Sequence, residues 1–255
     1  VDIDLAMLNG NSAEFRMGEA RMFIEAMNQK MASGMFYGNP ATDPKEFLGL
    51  APRYSSTTAG NSQNVLLAGG ATANEQTSAW LVCWSDQTVF CPFPKGSNAG
   101  LLQEDLGRQT SYDTGTNGNR MEVFAERFQW KSGLVVKDWR YTVRIANIGT
   151  NASDSNAITD LGGTMAPADT NFNNILHLMA KAVARIPNTS MGRPVFYMNR
   201  TVFTGLMRTA LEKSNSALSI SDAITQFGTN QSMLSFLGIP IRQVDGILNT
   251  EAVVV

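Results

Sequence analysis

An apolar stripe at helical spacing runs through the first part of the chain. Asn11, with Glu14 three residues later, is typical of the capping pair that opens a helix. Apolar residues then recur every three or four positions up to Gly34, which predicts a long amphipathic helix over residues 11–33. Further apolar side chains widen its apolar face beyond what one packing surface requires, so we expect contacts on two sides. These residues are Phe15, Met22, Phe23 and Ala26.

The segments that follow carry the patterns of turns and strands. Residues 43–48 predict a short helical turn, with proline at its first helical position. Residues 55–76 are rich in Ser, Thr, Gly and Asn and predict a loop or extended arm with one apolar island at 65–67. Residues 78–93 are apolar on both sides of Ser85-Asp86-Gln87, and this pattern predicts a hairpin.

The strongest strand pattern lies between residues 120 and 148. Two apolar runs flank Lys131-Ser132-Gly133, which predicts a long two-stranded ribbon that turns there. Charged residues interrupt the apolar ones in its second arm. This pattern is expected for a ribbon that lies on a neighbouring chain and not in a hydrophobic core. Six residues are therefore predicted to contact a neighbouring chain: Lys131, Ser132, Gly133, Lys137, Arg140 and Arg144.

The second half of the chain changes from strand-rich to helix-rich. Residues 149–168 form a linker rich in Gly, Asn, Asp and Ala, and we place a domain boundary near residue 165. After it the pattern predicts a helix capped by Asp169 or Thr170 and ended by Pro187, then a buried strand at Arg193–Met198 and a helix after Asn199. A polar loop is predicted from Ser214 to Asn230. Two apolar strands follow, one around Phe236–Ile241 and the last at Ala252–Val255.

Length, composition and charge narrow the choice of function. A chain of 255 residues allows two modest domains, and 43% hydrophobic with 16% charged residues is an ordinary globular composition. A net charge of -2 lacks the basic stripe that a dedicated nucleic-acid binder needs. No apolar run approaches the roughly 20 residues that cross a bilayer. These totals favour a protein made in the cytoplasm, with neither DNA nor a membrane as its specific partner.

The residue types that carry chemistry are sparse. His177 is the only histidine, and Cys83 and Cys91 are the only cysteines, which we expect to be reduced thiols. A zinc site has too few ligands, and no phosphate-cradling glycine loop or nucleophile turn occurs. Glu104-Asp105 reads as a solvated acidic turn rather than an acid–base pair. We therefore predict no catalytic residue, no cofactor and no metal site, and a protein that is not an enzyme.

A series of short motifs resembles a group of tailed-phage major capsid proteins that includes the shell protein of the Bordetella phage. The resemblance extends from about residue 8 to about residue 250, and the order of the motifs is more specific than any one of them. The motifs are Phe36-Tyr37-Gly38-Asn39, Phe47-Leu48-Gly49-Leu50-Ala51-Pro52-Arg53-Tyr54, Pro94-Lys95-Gly96-Ser97, Glu104-Asp105-Leu106-Gly107, Trp130-Lys131-Ser132-Gly133-Leu134 and Arg144-Ile145-Ala146-Asn147.

The C-terminal third is similar to the axial domain of the Hong Kong 97 capsid fold, through Val195–Asn199 and Phe236–Ile241. The resemblance implies an α+β subunit with a peripheral domain, an axial domain and an extended loop laid over a neighbour. We expect the peripheral domain with its spine helix and β-ribbon at 1–165, the axial domain at 166–247 and a C-terminal strand at 248–255. Only ten residues precede Asn11, so either an N-terminal section is missing or the extended loop lies downstream, near Gln87 or Lys131–Gly133. The rearranged segment order of the Bordetella-phage group favours the second alternative.

The resemblance implies a structural virion protein. Such a protein assembles with itself into the hexamers and pentamers of an icosahedral capsid that encloses the phage genome, first in the host cytoplasm and then as the virion shell. Its further partners would be portal, scaffolding and decoration proteins, and packaged DNA would lie near it without specific contact. Two alternatives are an encapsulin-like compartment shell and a phage tail or decoration protein.

Overall fold

The computed structural model describes residues 1–8, 10–96, 100–112, 120–150, 175–211, 218–224 and 230–255, and these form an α+β subunit. The helices are α1 (Ile3–Met7), α2 (Ser12–Tyr37), α3 (Leu50–Arg53), α4 (Ile175–Arg185) and α5 (Arg200–Leu211). The strands are β1 (Val65–Leu67), β2 (Gln76–Trp84), β3 (Val89–Phe90), β4 (Leu101–Tyr112), β5 (Arg120–Trp130), β6 (Val135–Val136), β7 (Thr142–Gly149), β8 (Arg193–Met198), β9 (Leu218–Ile224), β10 (Asn230–Phe236) and β11 (Ile239–Gln243).

The chain forms two compact units. The first contains residues 1–31 and 91–133, and the second contains residues 32–90 and 134–255. Helix α2 passes from the first unit to the second between Met31 and Ala32.

A mixed sheet organises the second unit, in the order β1-β7-β2-β8-β11-β10-β9. Strands β1 and β7 are parallel, as are β8 and β11, while β2 is antiparallel to both of its neighbours. The short strand β3 contacts β2 at one residue pair and forms an antiparallel pair with β6. Strand β2 lies inside the sheet between β7 and β8, and its residues are buried from Gln76 to Cys83, so both faces of the sheet are covered there.

The two faces of β2 alternate with the period of a strand. Ala79, Leu81 and Cys83 belong to a core built with α4, α5 and the neighbouring strands. Helix α4 contributes Met179 and Ala182, both fully buried, because its apolar positions lie on one side at helical spacing. On the other face Trp80 packs against Phe36 of α2 and Tyr54, the residue that follows α3, with ring centroids 6.0 Å and 6.1 Å away.

Two of the glycine-containing motifs meet in the second unit. The amide of Gly49 donates a hydrogen bond of 2.7 Å to the carbonyl of Gly38. A Cβ on Gly38 would lie 2.4 Å from the carbonyl oxygen of Phe47, and one on Gly49 would lie 2.7 Å from that of Phe36. The two segments approach this closely because neither glycine has a side chain.

A matched pair of glycine substitutions tests this contact. Gly49→Ala should lower the free energy of unfolding by about 1–3 kcal/mol, because the added methyl group overpacks against backbone that cannot rotate away. Gly34→Ala is the control, since a Cβ there meets nothing within 4 Å and the position is helical. That change should raise stability by about 0.5–1 kcal/mol. Chemical denaturation measures both, and equal effects would contradict the close approach.

The first unit is built on a long antiparallel ribbon. Strand β4 pairs with β5 from Leu101 opposite Trp130 to Tyr112 opposite Arg120. The N-terminal residues extend this ribbon, because Asp2 bridges Val123. At a rise of about 3.4 Å per residue, the 12 residues of β4 span roughly 40 Å.

Several predicted elements are confirmed, and others are corrected. The long helix exists but runs through Gly34 to Tyr37. This is consistent with glycine only weakening a helix interior. The apolar island forms β1, and the strand at Arg193–Met198 has its predicted bounds. The turn predicted at 43–48 is confirmed at its start, where the amide of Glu46 donates 3.0 Å to the carbonyl of Asp43, but it does not continue as a helix to Leu48. The short helix is Leu50–Arg53.

The predicted ribbon pairing is wrong. Lys131–Gly133 does not form a ribbon turn, because β5 pairs with β4 and the following long strand β7 pairs with β1 and β2. The hairpin at 78–93 is also wrong, since β3 leaves β2 after one pair and joins β6.

The end of the chain also differs from the predicted pattern. Part of the predicted polar loop at 214–230 is strand β9, which pairs with β10. Residues 252–255 are not a strand, although Glu251 bridges Gln76. The predicted linker begins within β7, which ends at Gly149, and its part beyond Thr150 lies outside the described residues, as does the cap at Asp169 or Thr170.

Candidate subunit interface

The ribbon of β4 and β5 is the most exposed regular structure in the first unit. No residue of either strand is buried. A two-stranded hairpin is marginally stable by itself in water, so a ribbon of this length needs a surface to lie on. Apolar side chains stand exposed along it: Leu102, Leu106, Tyr112 and Met121.

Helix α2 presents a second uncovered surface. Within residues 12–31 the one buried residue is Ala20. Met17, Met22 and Phe23 are 63%, 62% and 60% exposed. A helix of a globular subunit is stabilised mainly by packing of its apolar face, and these apolar side chains have no such packing within the unit. The prediction that this helix has more apolar surface than one contact requires is consistent with this exposure.

Arg16 connects helix α2 to the middle of the ribbon. Its guanidinium lies 2.8 Å from a carboxylate oxygen of Asp105 on β4 and 2.7 Å from one of Glu126 on β5. It also lies over the ring of Phe124, 4.9 Å from the centroid. The hydrogen bond that the Asp105 carboxylate accepts from the amide of Gly107 lowers its pKa, and the hydrogen bond from Arg16 lowers it further.

The six predicted contact residues are divided between the two units. Lys131, Ser132 and Gly133 belong to the first unit, where Lys131 is exposed and the amide of Gly133 donates 3.1 Å to the carbonyl of Pro92. Lys137 and Arg140 are exposed in the second unit. The ammonium of Lys137 donates to the carbonyl of Asp86 at 2.6 Å, and Arg140 pairs with Asp138 at 2.7 Å.

Arg144 has an internal role. Its side chain is 5% exposed and forms an ion pair of 2.9 Å with Glu251, whose side chain is 4% exposed. The same guanidinium donates to the hydroxyl of Ser78 and to the carbonyl of Tyr54, and it lies 5.1 Å from the ring centroid of Trp80. These contacts lie within the second unit, and the burial of the ion pair favours a stabilising role for Arg144 there.

Tyr37 and Ser78 complete this buried network by donating hydrogen bonds to the carboxylate of Glu251. Burial raises the pKa of Tyr37 far above its ordinary value, and the negative charge of Glu251 raises it further. The phenol therefore stays protonated and remains a donor. The network joins the C-terminal segment, the end of α2 and the centre of the sheet within the second unit.

No constellation for catalysis is visible among the residues that the structure describes. His177 is exposed, Cys83 is a buried free thiol and Cys91 is a half-buried one. Burial raises the pKa of both thiols, which makes them less reactive. In the same part of the chain, no group of three His, Cys, Asp or Glu residues could hold a metal ion. None of the described helices is long and apolar enough to span a membrane.

A comparison with protein families decides the class of protein. The family model described as Major capsid protein GP7 matches residues 1–255, the whole chain. The chain belongs to this family of major capsid proteins. A search of curated proteins gives no match. The GP7 match confirms the prediction, made from the order of short motifs, of a phage major capsid protein.

As a GP7-family major capsid protein, the chain is a structural component of the virion shell. The ribbon and the exposed face of helix α2 are the apolar surfaces that the first unit leaves uncovered. Sequence reasoning missed β4, which supplies half of the ribbon, because its residues are mostly polar and lack the apolar alternation of a strand. The one signal in the sequence for the bulge between Asp105 and Gly107 is the glycine itself, which stands in a run of polar residues.

Proposed function

We propose that this major capsid protein assembles with itself into the hexamers and pentamers of an icosahedral shell that encloses the phage genome. The supporting observation is the ribbon of β4 and β5, in which no residue is buried although exposed apolar side chains follow its length. A ribbon without a buried residue needs a surface to lie on, and the exposed apolar side chains along it favour contact with another subunit. Each subunit that lays this ribbon on a neighbour adds contact area without distorting its sheet.

We further propose that the subunit has the Hong Kong 97-like fold and belongs to the group of the Bordetella-phage shell protein. In this assignment α2 is the spine helix and the ribbon of β4 and β5 is the extended loop. The ribbon takes the place of the positions near Gln87 and Lys131–Gly133 that the sequence suggested. The peripheral domain at 1–165, the axial domain at 166–247 and the C-terminal segment at 248–255 stay predictions.

The proposed structural role also implies which other partners the subunit has and that it has no catalytic activity. The subunit would act as a structural protein and not as an enzyme, and it would hold no cofactor. Portal, scaffolding and decoration proteins are its expected further partners. Packaged DNA would lie near it without specific contact, because a net charge of -2 gives little attraction to phosphates. Exposed Lys131 and Lys137 remain candidates for subunit contact, together with Ser132, Gly133 and Arg140.

Electron microscopy of the purified protein tests assembly. Negative staining should show hollow closed shells, or free hexamers and pentamers at low concentration. A protein that stays monomeric in sedimentation at high concentration would overturn the proposal. Shells that enclose a cargo protein instead of DNA in infected cells would favour the encapsulin-like alternative, and tubes attached to finished heads would favour a tail protein.

A single substitution tests the uncovered face of helix α2. Phe23→Asp should leave the subunit folded, because this side chain is 60% exposed. If a neighbour buries it, the loss of about 1.5–3 kcal/mol of apolar burial lowers the association constant of each contact roughly tenfold or more. The concentration at which shells appear, measured by light scattering, should rise accordingly.

Asn28→Asp is the matched control. It adds the same charge at an exposed polar position of the same helix, so shells should form at nearly the wild-type concentration. Unchanged assembly of the Phe23 variant would remove this face from the proposed interface.

A further inference from the structure

The ribbon contains one irregularity. Asp105 lies opposite Glu126, but Gly107 lies opposite Ala125, so Leu106 is an extra residue on β4. Gly107 has a φ of +69°, and its amide donates 2.9 Å to the side chain of Asp105. An extra residue of this kind bends a strand and increases its local twist. The bulge therefore divides the ribbon into a proximal half and a distal half.

The pair next to the bulge is electrostatically unfavourable by itself. Asp105 and Glu126 are both acidic and directly opposite each other, and like charges in this arrangement destabilise a ladder. Arg16 lies between them, with one nitrogen 2.8 Å from Asp105 and 2.7 Å from Glu126. Its Nε donates a further hydrogen bond of 3.0 Å to Glu126. One cation therefore converts the repulsive pair into a three-membered ion cluster.

Arg16 also reaches across the bulge. Asp105 and Glu126 form the last pair on the proximal side, whereas Phe124 pairs with Arg108 on the distal side. The guanidinium covers the ring of Phe124 at 4.9 Å, which favours one position of the distal strand relative to the helix. The side chains of Arg16 and Glu126 are 18% and 16% exposed, so solvent screens this pair less than a surface ion pair, whereas Asp105 is 58% exposed and its contact is weaker.

We infer that Arg16 is a positioning residue that fixes the direction of the distal half of the ribbon, with the bulge at Leu106 as the hinge. The inference rests on the proposed function, in which the distal half lies on a neighbouring subunit. The angle at which the ribbon leaves helix α2 then sets where the neighbour binds. Arg16 thereby contributes to the curvature at which a single shell size closes, since rotation between subunits determines closure.

Two measurements test the role of Arg16. Nitroxide labels on Ser111→Cys and Glu25→Cys, both exposed positions in the first unit, report the distance from the distal ribbon to helix α2. The labelled protein also carries Cys91→Ser, so that this half-buried native thiol does not react with the label. Cys83 can stay, because it is fully buried. In the free subunit the distance distribution should be narrow, and Arg16→Gln should broaden it roughly twofold, because an unsupported hairpin is marginal.

Shell diameter is the second measurement. Unlabelled wild-type protein should form shells of one diameter, and Arg16→Gln should give mixed diameters or open sheets. Arg21→Gln is the matched control, because Arg21 is exposed on the same helix and should change neither result. Arg16→Lys keeps the charge but cannot bind both carboxylates in the same geometry, so it should restore part of the narrow distance distribution.

The outcomes separate this inference from the proposed function. If the Arg16→Gln subunit shows a wild-type distance distribution and shells of one diameter, the inference is overturned. If circular dichroism shows that Arg16→Gln does not fold, Arg16→Lys is the variant that tests the inference. The inference is then overturned if Arg16→Lys has the wild-type distance distribution and forms shells of the wild-type diameter. Failure of the wild-type protein to assemble would overturn the proposed function, while the distance measurement on the free subunit would still decide whether Arg16 fixes the ribbon.

Discussion

Glu251→Ala should destabilise the subunit by about 3–5 kcal/mol, because it leaves the charge of Arg144 buried without a partner. The side chains of the pair are only 5% and 4% exposed. Tyr37 and Ser78 would also lose the acceptor of their hydrogen bonds. Since a buried donor that loses its partner keeps its desolvation cost, these losses add to that of the ion pair. Thermal unfolding followed by circular dichroism measures the change.

Asp245→Ala is the matched control for that change. Asp245 pairs with Arg200 at 2.5 Å, but those side chains are 56% and 68% exposed. Surface ion pairs contribute little, so the unfolding temperature should hardly move. The double variant Arg144→Met with Glu251→Leu should recover part of the loss, because it removes both charges together. Equal destabilisation by the two alanine variants would show that the Arg144 network is not what stabilises the sheet.

Replacement of residues 110–122 by Asn-Gly should abolish shell formation while the subunit stays folded. Gln109 and Val123 are opposite each other, so a two-residue turn can join them without changing the register. The bulge, the contacts of Arg16 and the bridge between Asp2 and Val123 all remain. Loss of even about 3 kcal/mol per contact raises the assembly threshold roughly 100-fold.

Sedimentation velocity of the shortened protein measures this loss. A single slow species with the wild-type circular dichroism spectrum of its sheet is the expected result. Glu122→Gln serves as the control, because it removes the exposed pair with Arg108 and keeps the ribbon, and it should assemble normally. Closed shells from the shortened subunit would show that the distal ribbon is dispensable.

The parts of the fold that the sequence predicts are those with strong local patterns. Strand β8 and helices α2, α4 and α5 were located because apolar periodicity and caps act within a few residues. At the start of α5, Asn199 accepts a hydrogen bond of 3.0 Å from the amide of Thr201, as expected for a residue that opens a helix.

Strand partners could not be predicted in the same way. Lys131-Ser132-Gly133 joins two strand-like runs, and a short polar turn between such runs usually indicates a hairpin. In the structure β7 instead pairs in parallel with β1, with Arg144 opposite Val65. Pairing over such a separation depends on burial of the whole sheet, and no local pattern encodes it.

Arg144 illustrates why the sequence alone does not identify every residue of the candidate interface. Charged residues among apolar ones indicated an exposed ribbon lying on a partner, but this one is buried because Glu251 neutralises it from 107 positions away. Burial of an arginine has a large desolvation cost, which is why sequence patterns place it at the surface. A carboxylate far away in the sequence can offset that cost, and no local pattern identifies such a partner. The exposed surface of α2 was accessible to sequence reasoning, since an apolar face wider than one contact requires is a local property.

The pairing of β3 with β6 has a consequence for the length of the segment between them. Val89 lies opposite Val136 and Phe90 opposite Val135, so the two ends of the segment 91–133 are held side by side by the second unit. The entropic cost of closing a loop grows only slowly with its length. A change in the length of that segment should therefore cost little stability and leave the register of β3 and β6 unchanged.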